Sequence, residues 1–365
     1  MNASFGEKFR AVLATGRVAN LPTVWSNVLM AYLMAETLQN SGHSYYFNGV
    51  ETFQLWMLGL IMLAGSLLYV GGCMLGDYRD IPFDTEHRPG RPIPSGVLSP
   101  SFVAISAITL LGLGLVVGAA SFPVAIIYGF KVPWDALKSA SGNDLQSLVQ
   151  TDQLALLGVL VALIVVYALF HKRSRPLALV NMALCRTQLV IFAAAAALPA
   201  FFSTSSTTPT FHGQWIIAPV LITGAAVGIY TLLLASVAAT ESNQEKIKYS
   251  LFLKAAMFLL PLLAIALMLS LGFEPKQDSY PWGNSSLTAE TSRPLFYTVL
   301  IIYCSWMLFA FRALPNDKPA FVSRALAGFS LLDASFAASY SVTVPLICLA
   351  LFGLALLLQK IAPAT

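Results

Sequence analysis

Long apolar stretches separated by short polar ones set the pattern of this chain. Runs near 18–36, 54–76, 101–128, 154–170, 176–201, 215–238, 251–272, 294–312 and 341–358 match the length of a bilayer-crossing helix, roughly 20 residues. A further stretch, 320–336, is amphipathic and carries Asp333. It is expected to lie along the membrane interface or tucked into the bundle. The pattern predicts an all-α, polytopic membrane bundle of nine transmembrane helices, forming one integral membrane domain over residues 1–365. The segment 129–152, with Trp134, Asp135 and Asp144, is expected to form a short helix outside the membrane. The N-terminal segment is basic and then apolar without a small-residue cleavage site, so it reads as a retained first span.

Composition agrees and narrows the class. Hydrophobic residues make up 57% of the chain and charged residues 10%, against about 25% charged in soluble domains. Mean hydropathy is +0.73. A soluble globular fold is excluded. The net charge of +4 is spread between apolar runs rather than gathered in a patch, so nucleic acid is not expected as a partner. No repeat or tail points to a stable protein partner. Cys73, Cys185, Cys304 and Cys348 lie in or beside apolar runs without metal-ligand spacing, and read as small buried hydrophobes.

The basic residues give the layout a side. With nine spans, fifteen of the 21 Lys and Arg fall in the loops that share the N-terminal side, five fall opposite, and Arg186 stays inside a span. Such asymmetry marks the cytoplasmic face. The expectation is a multi-pass protein of a bacterial inner membrane, N-terminus in the cytoplasm and C-terminus outside.

Charge is scarce here, so its concentration over residues 77–94 is informative. Asp77, Asp80 and Asp84 follow the second apolar run at spacings i, i+3 and i+7, which places them on one helical face. Arg88 and Arg91 come next, among Pro89, Pro92 and Pro94. The prolines forbid a continued helix and hold an extended turn that lets the arginines fold back over the acids. Four spans later, on the same side, Glu241 and Glu245 stand at i, i+4. Matching acidic loops suggest two pseudo-repeated halves.

Carboxylate clusters at a membrane border suit Mg²⁺, which prefers a few carboxylates, retained waters and substrate phosphate oxygens. Ions held by Asp77, Asp80 and Asp84 on one side and by Glu241 and Glu245 on the other could grip a diphosphate leaving group. Arg88 and Arg91 could add bidentate phosphate contacts. A polyprenyl diphosphate fits such a site, with its tail in an apolar groove. The carbocation left when diphosphate departs needs dry, aromatic surroundings, and aromatic residues form 12% of the chain. Arg186, deep in a span, is either the neutralising partner of an acid such as Asp333 or Glu241, or a contact to the diphosphate. Asn20, Asn27, Asn181 and Gln188 either line a cavity or bond helix to helix.

These residues resemble the UbiA superfamily of intramembrane prenyltransferases. Its first motif, Asn-Asp-x-x-Asp-x-x-x-Asp with an Arg-Pro-x-x-Pro-Ser/Ala-Gly tail, is similar to Gly76-Asp77-Tyr-Arg-Asp80-Ile-Pro-Phe-Asp84 and Arg91-Pro-Ile-Pro94-Ser95-Gly96. Arg17-Val-Ala-Asn20 and Leu184-Cys185-Arg186 are supporting matches, the second similar to a Gly-Leu-Cys-Arg element of some members. The resemblance implies Mg²⁺-dependent transfer of a polyprenyl group from its diphosphate to a hydrophobic or aromatic acceptor among membrane lipids. It places metal at Asp77, Asp80, Asp84, Glu241 and Glu245, and substrate at Arg88, Arg91, Arg186, Asn20 and Tyr78. Two positions depart: Gly76 replaces the leading Asn, and Glu241-x-x-x-Glu245 replaces Asp-x-x-x-Asp. Leu184-Cys185-Arg186 together with the Glu-bearing second loop suggests a branch resembling EboC-type proteins. The two departures leave the alternative of a catalytically degenerate lipid-binding or precursor-export protein on the same fold.

Overall fold

The computed structural model describes residues 4–40, 51–124, 151–197, 212–240, 250–270 and 289–361. The short helix expected within 129–152, and Glu241 and Glu245, lie outside the described residues, save that 151–152 open a long helix. Every regular element in the described part is helical. In chain order these are α1 (Phe5–Thr15), a 3₁₀ turn (Val18–Asn20), α2 (Leu21–Asn40), α3 (Glu51–Arg79), α4 (Ile81–His87), α5 (Pro100–Val124) and α6 (Thr151–Phe170). There follow α7 (Arg175–Ala197), α8 (His212–Ala238), α9 (Ser250–Ser270), α10 (Ala289–Phe311), α11 (Lys318–Ala337) and α12 (Thr343–Ile361).

Nine helices among the described residues are long and apolar enough to cross a membrane. Their outer faces carry Ile105, Ile108, Val116, Leu251, Leu263, Ile301 and Leu357, all exposed. Apolar exposure on this scale suits contact with lipid, not water. Inside, α2, α7, α8 and α11 form the centre, with Val24, Val28, Ala193, Ala194, Val227, Tyr230, Phe329 and Phe336 buried. Small residues allow the close approach. Gly71 on α3 sits against Leu111 and Ala107 of α5, and Gly114 on α5 sits against Leu68 of α3; a methyl group at either would come within about 3 Å of its neighbour.

The nine differ from the expected set at two places: α2, expected as the first span, is not among them, and α11 is. Of the two places expected for this stretch, the bundle rather than the interface holds it: Lys318–Ala337 is a candidate span and the most buried of the nine. At one end Lys318 Nζ donates to the carbonyl of Thr240. Fifteen residues on, Asp333 accepts from Ser26 and Asn27 of α2. At about 1.5 Å per residue, the helix is about 30 Å long. Its modest hydropathy reflects polar groups that pair inside the bundle, which a periodicity reading takes for an interfacial face.

α12 follows that crossing back through the bundle. α12 runs back along α11, and Gln359 near its end bonds Ser323 in the first turns of α11. The end of α12 also packs on the 3₁₀ turn at Val18–Asn20. The last described turns of α12 therefore lie beside the first turns of α11.

Candidate functional site

The site grows from the junction of α3 and α4. α3 is 29 residues long, about 43 Å at the standard rise, so its last turn carries Asp77 past the apolar zone. The ladder continues across the junction, with the Asp80 amide bonded to the Gly76 carbonyl and the Asp84 amide to that of Asp80. Residues seven apart on a helix return to within about 20° of each other, whereas Asp80 is turned about 60° away. The structure uses that difference. Arg91 Nη1 donates to Asp77 Oδ1 at 3.3 Å and to Asp84 Oδ2 at 3.2 Å. Arg17 Nη2 lies 3.6 Å from Asp77 Oδ1. Asp80 faces the other way and meets His171 Nε2 at 2.9 Å and Lys172 Nζ at 3.5 Å, both just beyond α6.

The proline-rich loop folds back as its sequence predicts. Arg91 reaches the acids because Ile93 and Leu98 are buried against Ala11, Met74, Val103 and Ala107, which pins the loop to the bundle. Gly96 takes a φ of 78° to turn the chain into α5, a conformation that costs glycine little.

A cavity of about 730 Å³ opens beside these groups. Its mouth is lined by Arg17, Asp77, Asp80, Arg88, Arg91, His171, Lys172 and Arg175, and its depths by apolar and aromatic side chains including Leu68, Tyr69, Tyr167, Leu189, Leu326 and Phe329. Such a volume matches a typical small-molecule site. Burial raises the pKa of Asp80, but the hydrogen bond from His171 and the charges of His171 and Lys172 outweigh it and hold the carboxyl below its ordinary value.

Most of the residues singled out in the sequence converge here. Asp77, Asp80, Arg88, Arg91, Asn20 and Arg186 all line the cavity, and Asp84 is buried behind them on Arg91. Tyr78 does not. Its neighbour Asp77 faces the cavity, and one residue along a helix turns a side chain by about 100°; Tyr78 stands 37% exposed on another face. Arg186 lies deep, over the ring of Tyr69 at 5.6 Å and that of Phe329 at 5.0 Å. It donates to Asn27 Oδ1 at 2.8 Å, and Asn27 in turn donates to Asp333. Of the two readings of Arg186, the neutralising one has its partner. Asn181 and Gln188 bond the Leu163 and Leu156 carbonyls of α6, and so join helices.

Sequence reasoning missed His171, Tyr69 and Tyr167. A histidine one residue past an apolar run, beside Lys172, was the available signal. The four cysteines are free thiols, and Cys73 and Cys185 line the cavity rather than filling the core. The carboxylate oxygens of Asp77, Asp80 and Asp84 are the donor type Mg²⁺ takes. Among the described residues, no three acidic, histidine or cysteine groups already converge as a metal cluster.

The fold and this site define a helical membrane protein with a cavity charged at its mouth and apolar within. The UbiA prenyltransferase family model matches residues 22–131, which contain α2, α3, the acidic junction and α5. Over those residues the chain is similar to the UbiA prenyltransferase family. A digeranylgeranylglyceryl phosphate synthase of Hyperthermus butylicus is 38% identical over 66 residues, 18% of this chain and 22% of that protein. One from Methanoregula boonei is 30% identical over 117 residues, 32% of this chain and 37% of the relative. The chain thus aligns with well under half the length of the curated relatives it matches. A solved structure described as giving insights into digeranylgeranylglyceryl phosphate synthase in membranes aligns over 91% of this chain and 98% of its own, at 15% identity and a TM-score of 0.44.

Proposed function

We propose that the protein is an intramembrane prenyltransferase, moving a polyprenyl group from its diphosphate to a hydrophobic acceptor. The observation that carries this is the cavity itself, with acids and guanidinium groups at its mouth and aromatic faces below. An amphiphile with an anionic head and a hydrocarbon tail fits both halves at once. Similarity over residues 22–131 to a family described as prenyltransferases supports the same reading.

In this reading Arg17, Arg88, Arg91 and Lys172 hold the diphosphate oxygens. Asp77, Asp80 and Asp84 would hold Mg²⁺ on the α3 side, and Glu241 and Glu245, from the loop four spans later on the same side, would hold a second ion. The bound metal supplies neutralisation of the leaving diphosphate. Arg91, His171 and Lys172 would give up their present contacts to the acids where the ion is held. The allylic C1–O bond breaks, diphosphate leaves with the electron pair, a bond forms from C1 to the acceptor, and the acceptor gives up a proton. Tyr69, Tyr167 and Phe329 present ring faces to the positive carbon and keep water away. The membrane is a bacterial inner membrane with the acidic mouth on its cytoplasmic side.

Radiolabelled geranylgeranyl diphosphate, offered with Mg²⁺ and a panel of quinone and aromatic acceptors, tests the reading. Label in an acceptor, with release of diphosphate, is expected. Tight binding without release by the folded protein would instead favour the degenerate lipid-binding or export protein. The open space at Gly76, where no atom lies within 4 Å of an added methyl group, is the feature that favours this second reading, because a polar ligand is missing beside the acids.

A further inference from the structure

The first helix presents three different sides. Ser4 and Glu7 form a capping box that starts α1 at Phe5. Its eleven residues span about 16 Å, too short to cross a bilayer. Ala11 and Thr15, four apart, are buried. Phe5 and Phe9, also four apart, stand 85% and 55% exposed. They lie about 120° round the helix from the buried pair. Glu7 and Arg10 take the remaining side, and both are exposed.

Packing fixes the depth of this helix. Ala11 and Val12 join a cluster with Val70 and Met74 of α3 and Val103 and Ala107 of α5. A methyl group at Gly16 would stand 3.0 Å from Val70 Cγ1. All four partners lie inside stretches long and apolar enough to cross a membrane, Trp56–Arg79 and Pro100–Ser121. Asp77 comes three residues after Met74, and α5 begins at Pro100, three residues before Val103. The C-terminal half of α1 is therefore held at the border where two spans leave the apolar layer. Ala14 and Thr15 line a small hollow there with Asp77 and Arg91, on the side away from the phenylalanines.

A bilayer surrounds the spans at this depth, so an apolar side chain that no helix covers meets lipid. In water the two rings would form an uncovered apolar patch; at the boundary of headgroups and acyl chains they are buried. The charges agree. Lys8 lies about 60° from Phe5 round the helix, and Arg10 follows Phe9. Long basic side chains lay their stems on apolar surface while the charge reaches lipid phosphate. Glu7, the one acid of α1, accepts from the Ser4 amide at 2.7 Å.

We propose that α1 is an interfacial anchor lying along the membrane surface on the side of the acidic mouth. Phe5 and Phe9 enter the boundary of headgroups and acyl chains, and Lys8 and Arg10 meet anionic phosphates. The anchor adjoins the site: α1 ends at Gly16, and the next residue, Arg17, has a φ of 47° and lies 3.6 Å from Asp77 Oδ1. Nothing in this placement depends on prenyl transfer.

The test uses the full chain in nanodiscs, with 4-trifluoromethylphenylalanine at residue 5 or residue 9. Fluorine relaxation is measured against dissolved oxygen, which concentrates in lipid, and against a neutral nickel chelate, which stays in water. Reference labels at Ile108, exposed on a span, and at Glu86, exposed on α4, mark the lipid and water responses. Both α1 labels are expected to respond severalfold more to oxygen than to nickel, as at Ile108. A response like that of Glu86 at both would overturn the anchor by placing α1 in water. Shielding from both reagents would overturn it as well, because a partner protein or a second copy would then cover the rings. Phosphatidylglycerol discs, compared with phosphatidylcholine discs, are expected to lower nickel contact at residue 5 about fivefold, the scale of one basic contact. Lys8→Gln combined with Arg10→Gln is expected to remove that difference. An equal response of the native protein in the two lipids would overturn the assignment of Lys8 and Arg10 to anionic phosphate.

Discussion

Arg91 Nη1 lies 3.2 Å from Asp84 Oδ2, and the same nitrogen lies 3.3 Å from Asp77 Oδ1, so one guanidinium ties two acids seven residues apart. It also ties the proline-rich loop to the end of α3. Arg91→Gln keeps a donor but loses the charge. The expected result is a KM for the prenyl diphosphate raised roughly tenfold, with faster cleavage of residues 88–99 in limited proteolysis. An unchanged KM would remove Arg91 from the diphosphate site.

Asp77→Ala and Asp80→Ala should each abolish Mg²⁺-dependent transfer while the bundle stays folded. Both acids stand at the cavity mouth rather than in the packed centre. Thermal unfolding followed by circular dichroism checks the fold and label transfer checks activity. Full activity in either purified variant would refute the assignment.

Gly76 and Gly71 separate space from contact on a single helix. An added methyl group at Gly76 meets nothing within 4 Å, whereas at Gly71 it meets the Leu111 backbone nitrogen at 3.0 Å and the Ala107 oxygen at 3.1 Å. Gly76→Asn should therefore fold normally and bind Mg²⁺ more tightly in an isothermal titration. Gly71→Ala pushes α3 from α5 and should cost about 1–3 kcal/mol, read as a lower Tm. Equal Tm values for the two variants would contradict the packing.

Asp333→Ala leaves Ser26, Asn27 and Arg186 without their shared anion in the bundle interior. Breaking a buried charged set from one side costs about 3–5 kcal/mol. A large drop in Tm is expected, and Asp333→Asn should recover part of it by keeping one acceptor. A surface-like response, with Tm unchanged, would mean that the network contributes little.

His171 holds Asp80 at 2.9 Å, with its other ring nitrogen 3.0 Å from the Tyr167 carbonyl. His171→Ala should free Asp80 without deleting it. The expected outcome is weakened transfer at limiting Mg²⁺ that is restored as Mg²⁺ rises, measured as initial rate against metal concentration. A rate that stays low at saturating Mg²⁺ would give His171 a different role.

The helical class, most of the spans and the two arms of the α3–α4 junction are legible in the residues alone. Those properties are local: an apolar run of about 20 residues, an acidic spacing of three and seven, and prolines that stop a helix each act through neighbours in the chain. It took the packing of the helices to show that α11 crosses the bundle, that the end of α12 comes back to the first turns of α11, and that Arg186 answers Asp333 through Asn27. Asp333 and Ser26 are more than 300 residues apart in the chain, and nothing in local periodicity records whether a polar side chain will face lipid or a partner. That is settled by which helices pack together, because a buried polar group lowers its cost only through the particular neighbour that packing supplies.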